Sequence, residues 1–204
     1  MTPASFFPNV SRETLVRLEE YAALLAKWNP VINLVSKSTL PDVWQRHMRD
    51  SAQLWPLCPK GARLWVDMGS GGGFPGIVIA ILAAELAPEM RVILIESDQR
   101  KATFLRTVAQ TLGLELRVES QRAEDVPPLS ADVVSARALT ALSGLLPLAQ
   151  RHLAENGVAI FPKGQSAAQE LTDALELWQF AVTKTPSETD HQAVVLQIRD
   201  IARA

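Results

Sequence analysis

Val66-Asp67-Met68-Gly69-Ser70-Gly71-Gly72-Gly73-Phe74-Pro75-Gly76 joins an apolar stretch, Leu64 to Met68, to a helical one, Gly76 to Leu86. A glycine-rich turn between a strand and a helix lies at the carboxyl edge of a parallel sheet, where open α/β sheets bind their ligands. Five glycines between positions 69 and 76 exceed what a plain strand-to-helix turn requires. They let the backbone turn sharply and let a ligand approach the main chain, which a Cβ would obstruct. The following stretch repeats the pattern, with Arg91 to Ile95 apolar and Asp98 to Leu112 helical. Two βα units in a row imply a parallel sheet.

Further strands are expected at 115–118, 132–135 and 158–161, with helices over 142–153 and 167–177 and a closing hairpin of 180–183 with 193–198. A mostly parallel α/β sheet that ends in an antiparallel strand is the class I methyltransferase (Rossmann-like) topology, with a plain doubly wound fold as the alternative. Upstream, Leu15, Leu18, Ala22, Leu25 and Trp28 recur at steps of three and four. This predicts an amphipathic helix capped by Ser11 and ended near Pro30. A second helix is expected after Pro41-Asp42, running to about Trp55, where Pro56 and Pro59 break it. Residues 1–60 thus form a helical extension on the core, and residues 61–204 the α/β domain.

The chain has 204 residues, 48% of them apolar, enough for one substantial core. Met1 to Phe6 lacks the basic start of a signal peptide, and the longest apolar run, Ile77 to Ala84, is too short to span a bilayer. A cytoplasmic protein is expected. Cys58 is the only cysteine, which excludes an internal disulfide and any cysteine-cluster metal site, and no metal is expected. The formal charge of −2 means that any nucleic-acid contact must be a local basic patch.

Two cofactors compete for the loop. Gly71-x-Gly73-x-x-Gly76 satisfies the dinucleotide fingerprint, and Glu96 stands twenty residues beyond the last glycine, where a ribose-binding acid belongs. Asp67, immediately before the glycines, favours S-adenosylmethionine, because a carboxylate suits an ammonium and a sulfonium better than it suits a pyrophosphate. An NAD-dependent oxidoreductase would also want a catalytic Tyr-x-x-x-Lys, and the one tyrosine, Tyr21, lies in the N-terminal helix. Arg122-Ala123-Glu124-Asp125 follows a predicted strand at the same edge and reads either as an adenine-edging loop or as a charged surface turn.

Several separated segments resemble one family. They are Asn33-Leu34-Val35-Ser36, Arg46-His47-Met48-Arg49-Asp50-Ser51, the glycine loop with its Phe74-Pro75-Gly76 close, and Glu96-Ser97 followed by Arg100-Lys101 and Phe104-Leu105. Ser135-Ala136-Arg137-Ala138 and Lys163-Gly164 complete the order. Together they resemble the bacterial 16S rRNA (guanine-N7) methyltransferase family, RsmG (GidB), over nearly the whole chain. The resemblance implies S-adenosylmethionine as cofactor, held by Gly69, Phe74, Ala123, Glu124 and Arg137. Asp67, Gly71, Gly73 and Glu96 join this set from the general methyltransferase pattern. Two departures are visible: Glu96 where the family more often has aspartate, and Gly72 where proline is frequent.

Guanine N7 carries an in-plane lone pair and no proton, so its methylation needs orientation and water exclusion rather than a general base. No catalytic residue is therefore assigned with certainty; Asp50, Asp67 and Arg137 are the positioning candidates. His47, Asp50 and Ser51 share one helix face, which either lines the cleft or docks the helix on the domain. Arg46, His47, Arg49, Arg100, Lys101, Arg122 and Lys163 are the candidates for RNA binding, with Arg106 also near the sheet mouth. The expected partner is 16S ribosomal RNA within a small-subunit particle, bound by a monomer. A methyltransferase of another RNA or small substrate, or an assembly factor without turnover, remains the alternative.

Overall fold

The computed structural model describes Phe7 and residues 9–204, so the stretch Met1 to Phe6 lies outside the described residues. Helix α1 (Arg12–Ile32) is capped as its sequence predicts, the Ser11 hydroxyl accepting the Thr14 amide. Glu85 accepts from the Ser11 amide and hydroxyl and from the Thr14 hydroxyl, fastening this end of α1 to the domain beneath. The helix passes through Pro30 rather than ending there. Proline forfeits one ladder bond, and Asn33 in the left-handed region closes the helix by donating to the Asn29 carbonyl.

The buried stripe of α1 runs Thr14, Leu18, Tyr21, Leu25, Asn29 and Ile32. It is thus offset from the expected stripe, leaving Leu15, Ala22 and Trp28 on its flank. Polar side chains can occupy the buried face because each finds a partner: Tyr21 donates to the Gly72 carbonyl and Asn29 accepts the Val35 amide.

The second expected helix is wider and shorter than its sequence predicts. Trp44–Arg49 forms a π-helical turn that runs into the short α2 (Asp50–Ala52), followed by a 3₁₀ turn at Trp55–Leu57. The extra residue in the π turn changes which side chains share a face. Ser51 is buried and donates back to the His47 carbonyl, while His47 and Asp50 face the cavity described below.

Seven strands form one sheet in the order β3-β2-β1-β4-β5-β7-β6. They are β1 (Leu64–Met68), β2 (Arg91–Ile95), β3 (Leu116–Glu119), β4 (Ala131–Ala136), β5 (Leu153–Lys163), β6 (Trp178–Pro186) and β7 (Val194–Arg203). The first five are parallel, and β7 enters antiparallel between β5 and β6. This is the class I methyltransferase topology. Helices α3 (Gly76–Leu86), α4 (Gln99–Leu112), α5 (Leu142–His152) and α6 (Ala167–Leu175) cover the faces.

Two apolar layers result: α1, α3 and α4 pack one face with Trp65, Leu94 and Val133, and α5 and α6 pack the other with Val66, Met68 and Phe161. Helix α3 is buried on every side from Gly76 to Ala83, which explains its unbroken apolar sequence. The helices α5 and α6 end slightly short of their predicted limits.

β5 starts earlier than expected, at Leu153. Its pairing with β4 shifts register between the Ala131–Leu153 and Val133–Val158 pairs, an irregularity of the bulge kind. The hairpin strands also run longer than predicted. β6 is an exposed edge strand carrying Lys184 and Pro186, so its sequence lacks the alternation of a half-buried strand. Among the described residues no helix is long and apolar enough to cross a membrane.

Candidate cofactor and substrate site

A cavity of about 900 Å³ opens at the carboxyl edge of β1, β2 and β4. The glycine loop forms its floor: Gly69, Gly71 and Phe74 line it, whereas Gly73 lies in the turn below. Gly73 has φ +97°, and a Cβ there would meet Ile77 Cγ1 at 2.6 Å and the Tyr21 hydroxyl at 2.7 Å. Strain and overpacking therefore add at this position. Gly73→Ala is expected to lower stability by about 2–4 kcal/mol, read from urea unfolding. Gly113→Ala, where φ is +62° but nothing lies within 4 Å, should cost only about 1 kcal/mol.

Asp67 is fully buried beneath the loop and does not line the cavity. Its carboxylate accepts from the Gly76 amide at 3.2 Å and from the Ser135 hydroxyl at 2.7 Å, and Ser135 in turn accepts the Trp65 indole N–H at 2.8 Å. Burial pushes its carboxyl up to about 6, against the opposing pull of Ser135, Gly76 and Arg137. Asp67 thus acts as a brace between β1, β4 and the start of α3.

Glu96 directly follows β2 at the cavity wall, and is 8% exposed. Its Oε2 accepts the Gly71 amide at 2.8 Å and its Oε1 the Asp98 amide at 2.7 Å. Each oxygen has capacity for a second donor, and a carboxylate with both oxygens so placed has the chemistry to accept two vicinal hydroxyls. Above Gly71 the space is open, a Cβ there approaching nothing closer than 3.8 Å.

Arg137 organises the opposite wall. Its guanidinium donates to Asp50 Oδ2 at 3.2 Å, to His47 Nδ1 at 2.9 Å and to the Arg46 carbonyl at 3.3 Å, and it lies 5.1 Å from the centre of the Phe74 ring. His47 stacks on the same ring at 5.0 Å, and Tyr21 tilts against it at 5.2 Å. Burial, then Arg137 and Arg46, lower the His47 imidazole from 6.5 to about 4. The ring is neutral at pH 7, with Nδ1 accepting from Arg137 and Nε2–H therefore donating to Thr39 Oγ1 at 2.8 Å.

Asp50 Oδ1 also takes the Thr189 hydroxyl at 2.6 Å and the Gln53 amide at 2.9 Å. The N-terminal segment, the sheet edge and the β6–β7 turn therefore meet at one carboxylate.

The structure separates the cationic candidates. Arg46, Lys101 and Lys163 line the cavity with His47 and Arg137; Arg49, Arg100, Arg106 and Arg122 do not. Arg46 pairs with Asp190 at 4.0 Å, Arg49 with Glu188 at 3.6 Å, Arg100 with Asp98 at 3.2 Å and Arg122 with Glu124 at 3.7 Å. Lys163 is bound to Glu170, and Arg106 donates to the Val118 carbonyl. Lys101 has no carboxylate partner among the described residues. Ala123 and Glu124 sit outside the cavity lining, Ala123 buried with its carbonyl 2.8 Å from His152 Nε2. Glu170, Thr189 and the buttressing Tyr21 escaped the sequence. Tyr21 alone left a signal, as the one tyrosine of the chain, set within α1. Among the described residues no group of three or more His, Cys, Asp or Glu side chains could hold a metal.

The profile of the GidB family, described as rRNA small subunit methyltransferase G, matches residues 14–195. The chain belongs to that family. A family member from Ruegeria pomeroyi, named ribosomal RNA small subunit methyltransferase G, is 53% identical over 203 residues, covering 100% of this chain and 99% of its own. The protein of the same name from Rhodospirillum centenum is 56% identical over 193 residues, 95% of this chain and 87% of its own. The family fold extends to remote structures. A SAM-dependent methyltransferase from Aquifex aeolicus superposes with a TM-score of 0.61 at 12% identity, over 85% of this chain and 97% of its own.

Proposed function

We propose that this family member transfers a methyl group from S-adenosylmethionine to N7 of a guanine in 16S ribosomal RNA, presented within a small-subunit particle to a cytoplasmic monomer. The observation that carries this reading is the meeting, in one cavity, of the Glu96–glycine corner and the Arg137–His47–Asp50 wall. S-adenosylmethionine supplies an electrophilic methyl on sulfur. Glu96 holds the ribose hydroxyls, Gly69 and Gly71 admit the cofactor chain over the main chain, and Phe74 with Arg137 bounds its methionine end. Ala123 and Glu124, outside the cavity lining itself, edge the adenine only where it extends toward the neighbouring loop, while Asp67 and Gly73 keep the floor in shape.

The wall has little to offer as a general base: His47 spends its acceptor on Arg137, and Asp50 holds three donors. An aromatic nitrogen lone pair needs no base. Catalysis at N7 comes from alignment in a cavity that excludes water, helped by carboxylates near the cationic product base.

Residues 1–60 act as the extension that supplies His47 and Asp50 to the site, and residues 61–204 as the cofactor-binding domain. Lys101 and Arg46, with Arg49, Arg100 and Arg122 further out, present the positive charge for RNA phosphates, while the modest overall charge of −2 leaves part of the docking to ribosomal proteins.

The test is transfer of labelled methyl to undermethylated small subunits, followed by nucleoside analysis. Label in N7-methylguanine is expected. Unchanged N7-methylguanine in the ribosomes of a deletion strain would remove the proposal, and label in another nucleoside would redirect it to a different RNA position.

A further inference from the structure

The segment from Arg137 to Ala141, directly after β4, roofs the glycine loop. Ala138 sits at φ +52°, a conformation that costs a residue with a Cβ about 1 kcal/mol or more. Leu139 lies over Gly69, in the space a Cβ of that residue would occupy. A segment in this conformation keeps its shape only if its neighbours hold it.

What holds it is an ion pair from two other elements. Lys163, at the end of β5, donates to the Thr140 carbonyl at 3.0 Å and to Glu170 Oε2 at 2.8 Å. Glu170, in the first turn of α6, accepts the Leu142 amide at 2.8 Å through the same oxygen and the Ser166 hydroxyl at 2.7 Å through the other. The two side chains are 9% and 18% exposed. To reach a phosphate, the Lys163 ammonium would have to give up both the carboxylate and the carbonyl.

We propose that Lys163 and Glu170 are positioning residues that fix the Arg137–Ala141 roof, and that Lys163 serves cofactor binding through Thr140 instead of contacting RNA. This rests on the reading of the cavity as an S-adenosylmethionine site. Sign of charge separates the two roles. A phosphate-binding lysine gains or keeps affinity when the acid beside it is neutralised, whereas a clamp loses function when either partner is removed.

The experiment compares wild type, Lys163→Met, Glu170→Gln and the double variant. It measures S-adenosylhomocysteine binding by calorimetry, the KM for small subunits, and the salt dependence of subunit binding, all below the unfolding midpoint of each protein. The dissociation constant is expected to rise about tenfold in each single variant, the loss of one charge-assisted contact. The double variant should be no weaker than the weaker single one, with KM and salt slope unchanged.

A loss confined to Lys163→Met, with the salt slope reduced by about 1 and Glu170→Gln binding RNA as well or better, would overturn the proposal. Should Lys163→Met fail to fold, the near-isosteric Glu170→Gln decides alone. Wild-type binding with both variants indistinguishable from it overturns this inference only; no binding by wild type overturns the proposed function and this inference together.

Discussion

Arg137→Ala is expected to lower methyl transfer at least a hundredfold, on the order of what removal of a preorganised electrostatic group costs. The guanidinium is one of the few groups that touch both the cofactor floor and the N-terminal wall. Without it, Asp50 Oδ2 and His47 Nδ1 lose their donor, and Phe74 loses the cation above its ring. Two partly buried acceptors left without partners cost roughly 2–3 kcal/mol of stability, so the protein should stay folded and lose its activity for lack of alignment. Arg137→Lys should recover only a small part, since one ammonium cannot span a carboxylate and an imidazole as a planar fork does. Initial rates on undermethylated subunits, beside urea unfolding, check both. Near-normal turnover in the alanine variant would remove the cluster from the reaction.

The second large effect concerns Asp67 and is read in stability. Asp67→Ala leaves the Gly76 amide and the Ser135 hydroxyl without their acceptor in a fully buried site. A loss of about 3–5 kcal/mol follows. Asp67→Asn can still accept from Gly76 and can donate to Ser135, so it should cost far less.

The carboxyl also leaves a signature in pH. Its folded value of about 6 lies above the ordinary 3.8, so between these values the native state binds more protons than the unfolded chain. Stability from this group therefore falls as pH rises from about 4 to 6, by roughly 3 kcal/mol in all, and is level above. His47 works in the opposite sense over an overlapping window, because its imidazole is lowered from 6.5 to about 4. Only the difference between wild type and Asp67→Asn isolates the carboxyl. That difference, from denaturant unfolding at a series of pH values, should shift toward the variant as pH rises. A flat difference would mean that Asp67 titrates normally.

Legibility differed by element for physical reasons. The glycine loop, Glu96 and the run of βα units were readable because strand, turn and helix preferences act over a few residues. The stripe of α1 was displaced because Tyr21 and Asn29 are buried through bonds to Gly72 and Val35 that no periodicity count includes. The π turn at Trp44–Arg49 carries no compositional mark, yet it decides that His47 and Asp50 face the cavity and Ser51 does not. Lys163 looked like any cation at a strand end until Glu170, seven residues on, closed over it.

The sequence by itself determined that this chain builds a mostly parallel α/β sheet with a glycine-rich loop after its first strand, and which family it joins. Those properties rest on local backbone preference and on the order of short motifs. Only the tertiary structure decided that Asp67 braces the floor, that Asp50 joins three distant segments, and which cations are already paired. Each of these depends on where side chains remote in sequence come to rest once the two faces of the sheet are packed.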